Sequence, residues 1–132
     1  MAGVLLDDLF ARAAAKADGT SDAGAVLRFT HAEEVEPLAV LLGLPGSTKA
    51  ADPDHPYTYG NNAWRGATVA PMAANIQWDL YAGRGRHLVR MLYNEKETAF
   101  QPSCRPIERG SYFYDLTELE RCYRQALTSS QH

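Results

Sequence analysis

The sequence lacks the features that would place the chain across a membrane or on nucleic acid. Its 132 residues contain no apolar run of membrane-spanning length. A formal net charge of -3 and a pI of about 5.8 disfavour general electrostatic binding to nucleic acid. There is no internal repeat and no low-complexity block. With 45% hydrophobic and 22% charged residues, the composition is typical of one globular domain.

Signals for export are also missing from the sequence as written. The first ten residues, MAGVLLDDLF, carry acids where a signal peptide would be basic, so a cytoplasmic location is expected. Cysteine is scarce as well, since Cys104 and Cys122 are the only two. In a cytoplasmic chain both are expected to be reduced.

Hydrophobic periodicity predicts three elements in the first part of the chain. Residues 3–17 place apolar side chains on one helical face, and Gly19 ends that helix. Residues 25–31, AVLRFTH, are predicted to form a short strand. A short amphipathic helix follows and is ended by Gly43; its apolar residues are Leu38, Leu41 and Leu42.

The remainder predicts a long loop, a β-hairpin and a last helix. Residues 45–71 are rich in Pro, Gly, Asn and Asp, and such long loops are often functional. MAANIQWDLY alternates from Met72 onwards with period two, and residues 87–94 form the second strand. GRGR (83–86) between them lacks the lysine and the helix start of a P-loop, which favours a turn over a phosphate cradle.

The last helix is predicted over residues 115–127, with Asp115 and Glu118 as a capping box. Its apolar face consists of Leu116, Leu119, Tyr123, Ala126 and Leu127. The order helix, strand, helix, long loop, hairpin, helix predicts an α/β or α+β fold whose core could belong to something larger.

The stretch LRFTHAEEVEP (27–37) contains a histidine and three carboxylates close together. One interpretation is a capping box from Thr30 to Glu33 beside a satisfied core histidine. Pro37 argues against it, because proline inside a helix removes a hydrogen bond, so the helix should begin nearer residue 34. His31 and Glu33 would then lie between the strand end and the helix start, where phosphate binds readily. The residues alone leave both interpretations open.

Several stretches together resemble a known family. They are LRFTHAEEVEPLAVLLGL, PMAANIQWDLY, VRMLYNEKE and the late C...YFYDLTELERCY, preceded by LLDDLF. In this order they resemble the C-terminal part of a histidine acid phosphatase, and more narrowly the multiple inositol polyphosphate phosphatase branch, which is marked by His-Ala-Glu. The resemblance implies that residues 1–132 are a single partial domain, equivalent to the C-terminal third of that α/β fold.

The resemblance also implies a reaction. His31 would match the second active-site histidine, which holds the phosphoryl group, and Glu33 the proton donor to the leaving alcohol. Members hydrolyse phosphate monoesters through a phosphohistidine, typically inositol polyphosphates, as phytases do, or bisphosphoglycerate. The implied partner is a phosphorylated small molecule, with no metal, no organic cofactor, no nucleic acid and no membrane. Arg65, in the long loop, is a further candidate for binding phosphate.

Family members are commonly secreted or periplasmic, and Cys104 and Cys122 resemble their C-terminal disulfide. A pair that can be bridged should have Cα atoms closer than about 7 Å.

The chain departs from the family in one important respect. Complete members carry their nucleophile in an Arg-His-Gly-x-Arg-x-Pro motif, which this sequence lacks; Arg86-His87 is followed by Leu88. The isolated chain is therefore expected to be inactive, and the missing N-terminal portion is a candidate partner. The alternative is a non-catalytic α/β module, derived from the family, that binds anions or another protein.

Overall fold

The computed structural model describes the backbone of residues 2–129 and the side chains of residues 2–124. Within these residues, four helices and four strands form a mixed α/β architecture, as predicted. The elements are α1 (Ala2–Ala17), α2 (Ala32–Leu42), α3 (Gly66–Val69), β1 (Ile76–Gly83), β2 (Arg86–Tyr93), β3 (Lys96–Thr98), β4 (Phe113–Asp115) and α4 (Leu116–Ser129). None of the helices in the described part has the length and apolar character needed to cross a bilayer.

The sheet is antiparallel and is organised around β2. β1 pairs with β2 along its whole length, from Ile76 opposite Tyr93 to Gly83 opposite Arg86. The other edge of β2 is shared, because β4 pairs with its first half and β3 with its second half. The predicted hairpin is confirmed, whereas the sequence did not predict β3 or β4.

The β1–β2 turn consists of Arg84 and Gly85, whose φ angles are 51° and 73°. Two consecutive positive φ angles are those of a type I′ turn, whose twist matches that of the flanking strands. GRGR is therefore a hairpin turn, as predicted. A similar pair, Asn94 and Glu95 with φ of 48° and 67°, joins β2 to β3.

β1 begins later than the period-two alternation predicted. The alternation starts at Met72, but Met72 is 99% exposed and Ala73 has a φ of 60°. A positive φ interrupts an extended chain, so the strand starts only at Ile76.

One face of the sheet packs on the helices. Trp78 of β1 contacts the ring of Phe10 in α1, with centroids 5.1 Å apart, and the ring of Phe100 at 5.4 Å. The buried side chains of β2 alternate along the strand and are Val89, Met91 and Tyr93. Full burial of one such side chain stabilises the fold by about 1.5–3 kcal/mol.

The long helices contribute a large part of the core. The apolar face predicted for α1 is confirmed, with Leu6 buried and its neighbours packed against the core. In α4, Leu116, Leu119 and Tyr123 are buried as predicted, while Ala126 and Leu127 lie outside the side chains that the structure describes. The Tyr123 hydroxyl donates a hydrogen bond to the Leu42 carbonyl at 2.8 Å, which joins α4 to α2.

The predicted capping box at the start of α4 is wrong. Asp115 is the last residue of β4, and its carboxylate accepts hydrogen bonds from the Arg86 guanidinium at 2.6 and 3.1 Å. Glu118 accepts from the Arg105 backbone N–H at 2.9 Å and from the Arg121 guanidinium at 2.6 and 2.8 Å. Charged donors give stronger hydrogen bonds than a backbone amide does, so both carboxylates bind arginine side chains.

Cys104 and Cys122 form a disulfide, with their Cα atoms 5.4 Å apart and both residues buried. The bond attaches the irregular segment between β3 and β4 to α4. Their Cα–Cα distance is below the limit of about 7 Å for a pair that can be bridged, as predicted.

The strand predicted over residues 25–31 is not formed. The segment has no regular secondary structure and pairs with none of the four strands. A strand is stabilised by backbone hydrogen bonds to a neighbour, and no other part of the described chain lies beside this one as a strand. The helix–strand–helix order is corrected to two helices joined by an unpaired segment.

Candidate active site

His31 lies at the junction between the unpaired segment and α2. It is the N-cap residue of α2, with φ of -119° and ψ of 172°, so its backbone is extended. Its carbonyl accepts hydrogen bonds from the N–H groups of Glu34 at 3.1 Å and Val35 at 3.3 Å, which begins the helix. The imidazole makes no capping hydrogen bond, and the residue is exposed. Its ring is therefore accessible to a ligand.

Glu33 lies in the first turn of α2, two residues after His31, and is also exposed. Backbone N–H groups in the first turn of a helix lack acceptors within the helix, and the helix dipole is positive at this end. The junction thus combines amide donors, an imidazole and a carboxyl group at one exposed place.

α2 begins earlier than Pro37 led us to expect. The helix starts at Ala32, not near residue 34, and contains Pro37 in its second turn. The N–H that proline lacks would have donated to the Glu33 carbonyl four residues earlier. Burial of Leu38 and Leu42 beyond the proline offsets this loss, because both side chains are part of the core.

The capping interpretation of Thr30 and Glu33 is not observed. The N-cap is His31 rather than Thr30, and no hydrogen bond joins Glu33 to the Thr30 backbone in the described part of the chain. A core histidine is also excluded, because His31 is exposed. The roles expected for the two residues, phosphate binding by His31 and proton donation by Glu33, stay predictions.

The Arg65 guanidinium forms hydrogen bonds with backbone carbonyls of its own loop. Its Nη1 donates to the carbonyls of Asn62 and Trp64, both at 2.7 Å, and its Nη2 to the Tyr59 carbonyl at 2.8 Å. The guanidinium also lies 3.9 Å from the centroid of the Tyr59 ring. These contacts give Arg65 a structural role that the sequence did not reveal, and its binding of substrate stays a prediction.

Asn62 is a second residue that organises this loop and that the sequence analysis missed. It is buried, its amide donates to the carbonyls of Lys49 and Ala50 at 3.3 Å, and its Oδ1 accepts from the Trp64 N–H at 2.8 Å. An Asn within a Pro-, Gly- and Asn-rich run is the signal that could have indicated it. The loop packs near α2. At Gly66, the position that the Cβ atom of a larger residue would occupy is 3.8 Å from Glu36 Oε1.

Two clefts lie elsewhere on the chain. One lies between α1 and α4, over Leu6 and Phe10, and the other lies beside the β1–β2 turn, lined by Arg86 and His87. Neither is lined by His31, Glu33 or Arg65. The described residues hold no group of three or more His, Cys, Asp or Glu side chains arranged for a metal ion.

Comparison with known proteins assigns the family. The model of the histidine phosphatase superfamily (branch 2) matches residues 1–94. The chain belongs to this superfamily. No curated protein gives a significant match to the sequence.

Solved structures of the Bifidobacterium longum multiple inositol polyphosphate phosphatase are similar to the chain. The complex with inositol hexasulfate is 51% identical, with a TM-score of 0.84, and the match covers 92% of this chain and 24% of that one. The complex with phosphate is 47% identical, with a TM-score of 0.86, and the match covers 92% and 26%. The partial histidine phosphatase fold predicted from the sequence is thus confirmed, and the chain spans about a quarter of these structures.

Proposed function

We propose that His31 and Glu33 form the phosphate-holding and proton-donating half of a phosphomonoester hydrolase site that acts on inositol polyphosphates. The observation that carries the proposal is their arrangement. Both side chains are exposed at the N-terminus of α2, and no hydrogen bond or ion pair occupies either of them among the described residues. The solved relative of this superfamily binds inositol hexasulfate and phosphate.

The chemistry assigns different tasks to the two residues. An alkoxide is a poor leaving group, so a carboxylic acid that protonates the departing oxygen removes a large part of the barrier. The Glu33 carboxyl has this task. The imidazole of His31 and the first-turn amides donate hydrogen bonds to the phosphoryl oxygens, which stabilises the charge that they carry during transfer.

These residues are half of a site because the nucleophile motif of the family is absent from the sequence. The proposal therefore requires a second polypeptide portion that carries Arg-His-Gly. The exposed imidazole of His31 beside the first-turn amides of α2 also fits a second candidate function, a non-catalytic module that retains anion binding. An in-frame Arg-His-Gly in the coding DNA upstream of Met1 would favour the hydrolase.

A chimera tests the proposal. In it, the present 132 residues replace the matching quarter of the Bifidobacterium longum enzyme, and hydrolysis of inositol hexakisphosphate is measured. His31→Ala should lower turnover by about 10²-fold or more, because an oxyanion donor is lost. His55→Ala, at an exposed loop histidine, is the control and should retain turnover. A His31→Ala chimera as active as the unmodified one would contradict the proposal.

A further inference from the structure

One peptide bond in the long loop combines exposure with unusual chemistry. Asp52–Pro53 is the single Asp–Pro bond in the sequence, and it lies in a stretch, residues 48–61, whose members are all exposed. The bond to proline is a tertiary amide, and its nitrogen carries no hydrogen. Such a nitrogen departs readily once it is protonated, and the carboxylate of the preceding Asp can attack the carbonyl carbon of its own residue.

The carbonyl of this bond lies in a tight turn. The His55 N–H donates a hydrogen bond to the Asp52 carbonyl oxygen at 3.2 Å, which closes a turn of four residues. Asp in the first position and Pro in the second are residues that a β-turn favours. The donated hydrogen bond polarises the carbonyl and stabilises the negative charge that its oxygen gains when the carbon is attacked.

The Asp52 carboxylate is held at the same turn by two further contacts. Its Oδ1 accepts a hydrogen bond from the Asp54 N–H at 2.9 Å, and its Oδ2 lies 2.7 Å from Nδ1 of His55. The Asp54 N–H and, to a smaller extent, His55 lower the pKa of the Asp52 carboxyl. The carboxylate therefore stays ionised in mildly acid solution, where histidine side chains gain a proton. Nucleophile and acid then coexist at one turn.

We propose that the chain cleaves its own Asp52–Pro53 bond in mildly acid solution, with Asp52 as the nucleophile and His55 as the general acid. A carboxylate oxygen of Asp52 bonds to the carbonyl carbon of the same residue, and the bond from that carbon to the Pro53 nitrogen breaks. The His55 imidazolium gives its proton to the departing nitrogen. Because nucleophile and carbonyl belong to one residue, the attack has the advantage of an intramolecular reaction.

Water completes the reaction. The first step leaves a cyclic anhydride at Asp52 and a free amine at Pro53. Addition of one water molecule to the anhydride gives two carboxylates and releases two protons. One proton returns to His55, and the other binds the prolyl amine. The net change is hydrolysis of one peptide bond, with His55 regenerated.

Cleavage would convert the chain into two associated polypeptides. Residues 1–52 contain α1 and α2 with the candidate active site, and residues 53–132 contain the sheet, α4 and the disulfide. Leu6 and Leu42 of the first part are buried in one core with the second part, and the Tyr123 hydroxyl donates to the Leu42 carbonyl across the division. A break in an exposed loop leaves these contacts in place. The reaction is separate from the proposed phosphomonoester hydrolysis.

Mass spectrometry of the purified 132-residue chain tests the proposal, after incubation at about pH 5 and at about pH 8. At the lower pH, residues 1–52 and 53–132 should accumulate as fragments whose masses add to that of the intact chain plus one water. Asp18–Gly19 provides an internal control. Asp18 is also exposed and its Oδ1 also accepts a backbone N–H, but its bond to Gly19 is a secondary amide and should stay intact.

Variants separate the contributions of the residues. His55→Gln should slow cleavage at the lower pH by at least about tenfold, because the general acid is lost. Asp52→Ala and Pro53→Ala should each abolish it. Asp54→Asn keeps the backbone N–H and is the matched control, with the rate of the unmodified chain.

Unfolding the chain in urea at the same pH tests the turn itself. Loss of the turn should slow cleavage to about the rate of the folded His55→Gln variant. Absence of the two fragments at the lower pH would overturn the proposal. So would equal rates for His55→Gln and the unmodified chain, or for the folded and unfolded chain. A first-order rate constant that rises with protein concentration would indicate cleavage by another molecule and would also overturn it.

Discussion

Arg28 forms an ion pair with Asp8, and this contact ties the segment before His31 to α1. Both side chains are 33% exposed, so solvent weakens the attraction. Arg12, one turn further along α1, also contacts Asp8, at 3.5 Å. Two arginines thus share one carboxylate, but only Arg28 connects it to the candidate site.

The first prediction concerns this connection. Arg28→Ala should lower the backbone order parameters of residues 26–31, because their contact with α1 is lost. The unfolding free energy should change by less than about 1 kcal/mol, as is usual for exposed ion pairs. Arg12→Ala removes the other contact and should leave the order parameters unchanged. ¹⁵N relaxation of the three proteins checks this, and equal values for Arg28→Ala and the unmodified chain would refute it.

The second prediction concerns activity of the isolated chain. The purified 132 residues should not hydrolyse inositol hexakisphosphate or an aryl phosphate above background, because no Arg-His-Gly nucleophile is present. Phosphate release at high protein concentration is the measurement. Turnover that disappears in Glu33→Gln would show that another residue attacks the phosphorus.

The third prediction concerns the disulfide between Cys104 and Cys122, which are separated by 18 positions. A closed loop of this size stabilises by roughly 3 kcal/mol in the chain-entropy model. Urea unfolding with and without a reductant should therefore differ by about this amount. The Cys104→Ala/Cys122→Ala double variant should be insensitive to the reductant, which separates the disulfide from other effects of reduction. Identical stability of the oxidised and reduced chains would contradict the prediction.

The fourth prediction concerns acid sensitivity. The Arg121 guanidinium, with the Arg105 N–H, lowers the pKa of Glu118 from 4.5 to about 2. Because the folded-state pKa lies below the unfolded one, the stabilisation is complete above pH 4.5 and is lost as the pH falls towards 2. Glu118→Gln should be less stable than the unmodified chain by on the order of 1 kcal/mol at pH 7, and equally stable near pH 2.

The measurement is the unfolding free energy of both proteins between pH 2 and pH 7. Glu120→Gln, on the same helix, serves as the control and should follow the pH profile of the unmodified chain. A difference between Glu118→Gln and the unmodified chain that stays constant over this range would exclude the ion pair as its cause.

The sequence predicted the elements whose periodicity is long and regular. Apolar positions repeat over at least two turns in α1 and α4, and over several strand residues in the β1–β2 hairpin. The buried face of each element could therefore be predicted from the sequence. β3 and β4 could not be predicted, because three residues are too short to show a period and both strands exist through their pairing with β2.

The candidate site was predicted in position but not in conformation. The motif placed both His31 and Glu33 between a strand end and a helix start, whereas the structure has His31 as the N-cap of α2 and Glu33 inside its first turn. The strand before them was predicted from apolar residues that would be buried in a sheet, and the described chain offers no strand to pair with them. Arg65 is held by hydrogen bonds to backbone carbonyls of its own loop. A pattern of side chains in the sequence does not predict such contacts.

The dependence of turnover on the leaving group tests the central claim, that Glu33 is the proton donor, most directly. In the chimera, Glu33→Gln keeps the shape of the side chain but removes the acidic proton. Turnover of inositol hexakisphosphate, which releases an alcohol, should fall by about 10²–10⁴-fold. An activated aryl phosphate, whose leaving group needs little protonation, should lose much less, and Glu34→Gln in the same helical turn should retain both activities. Equal losses for the two substrates in Glu33→Gln, or no loss for inositol hexakisphosphate, would contradict the assignment.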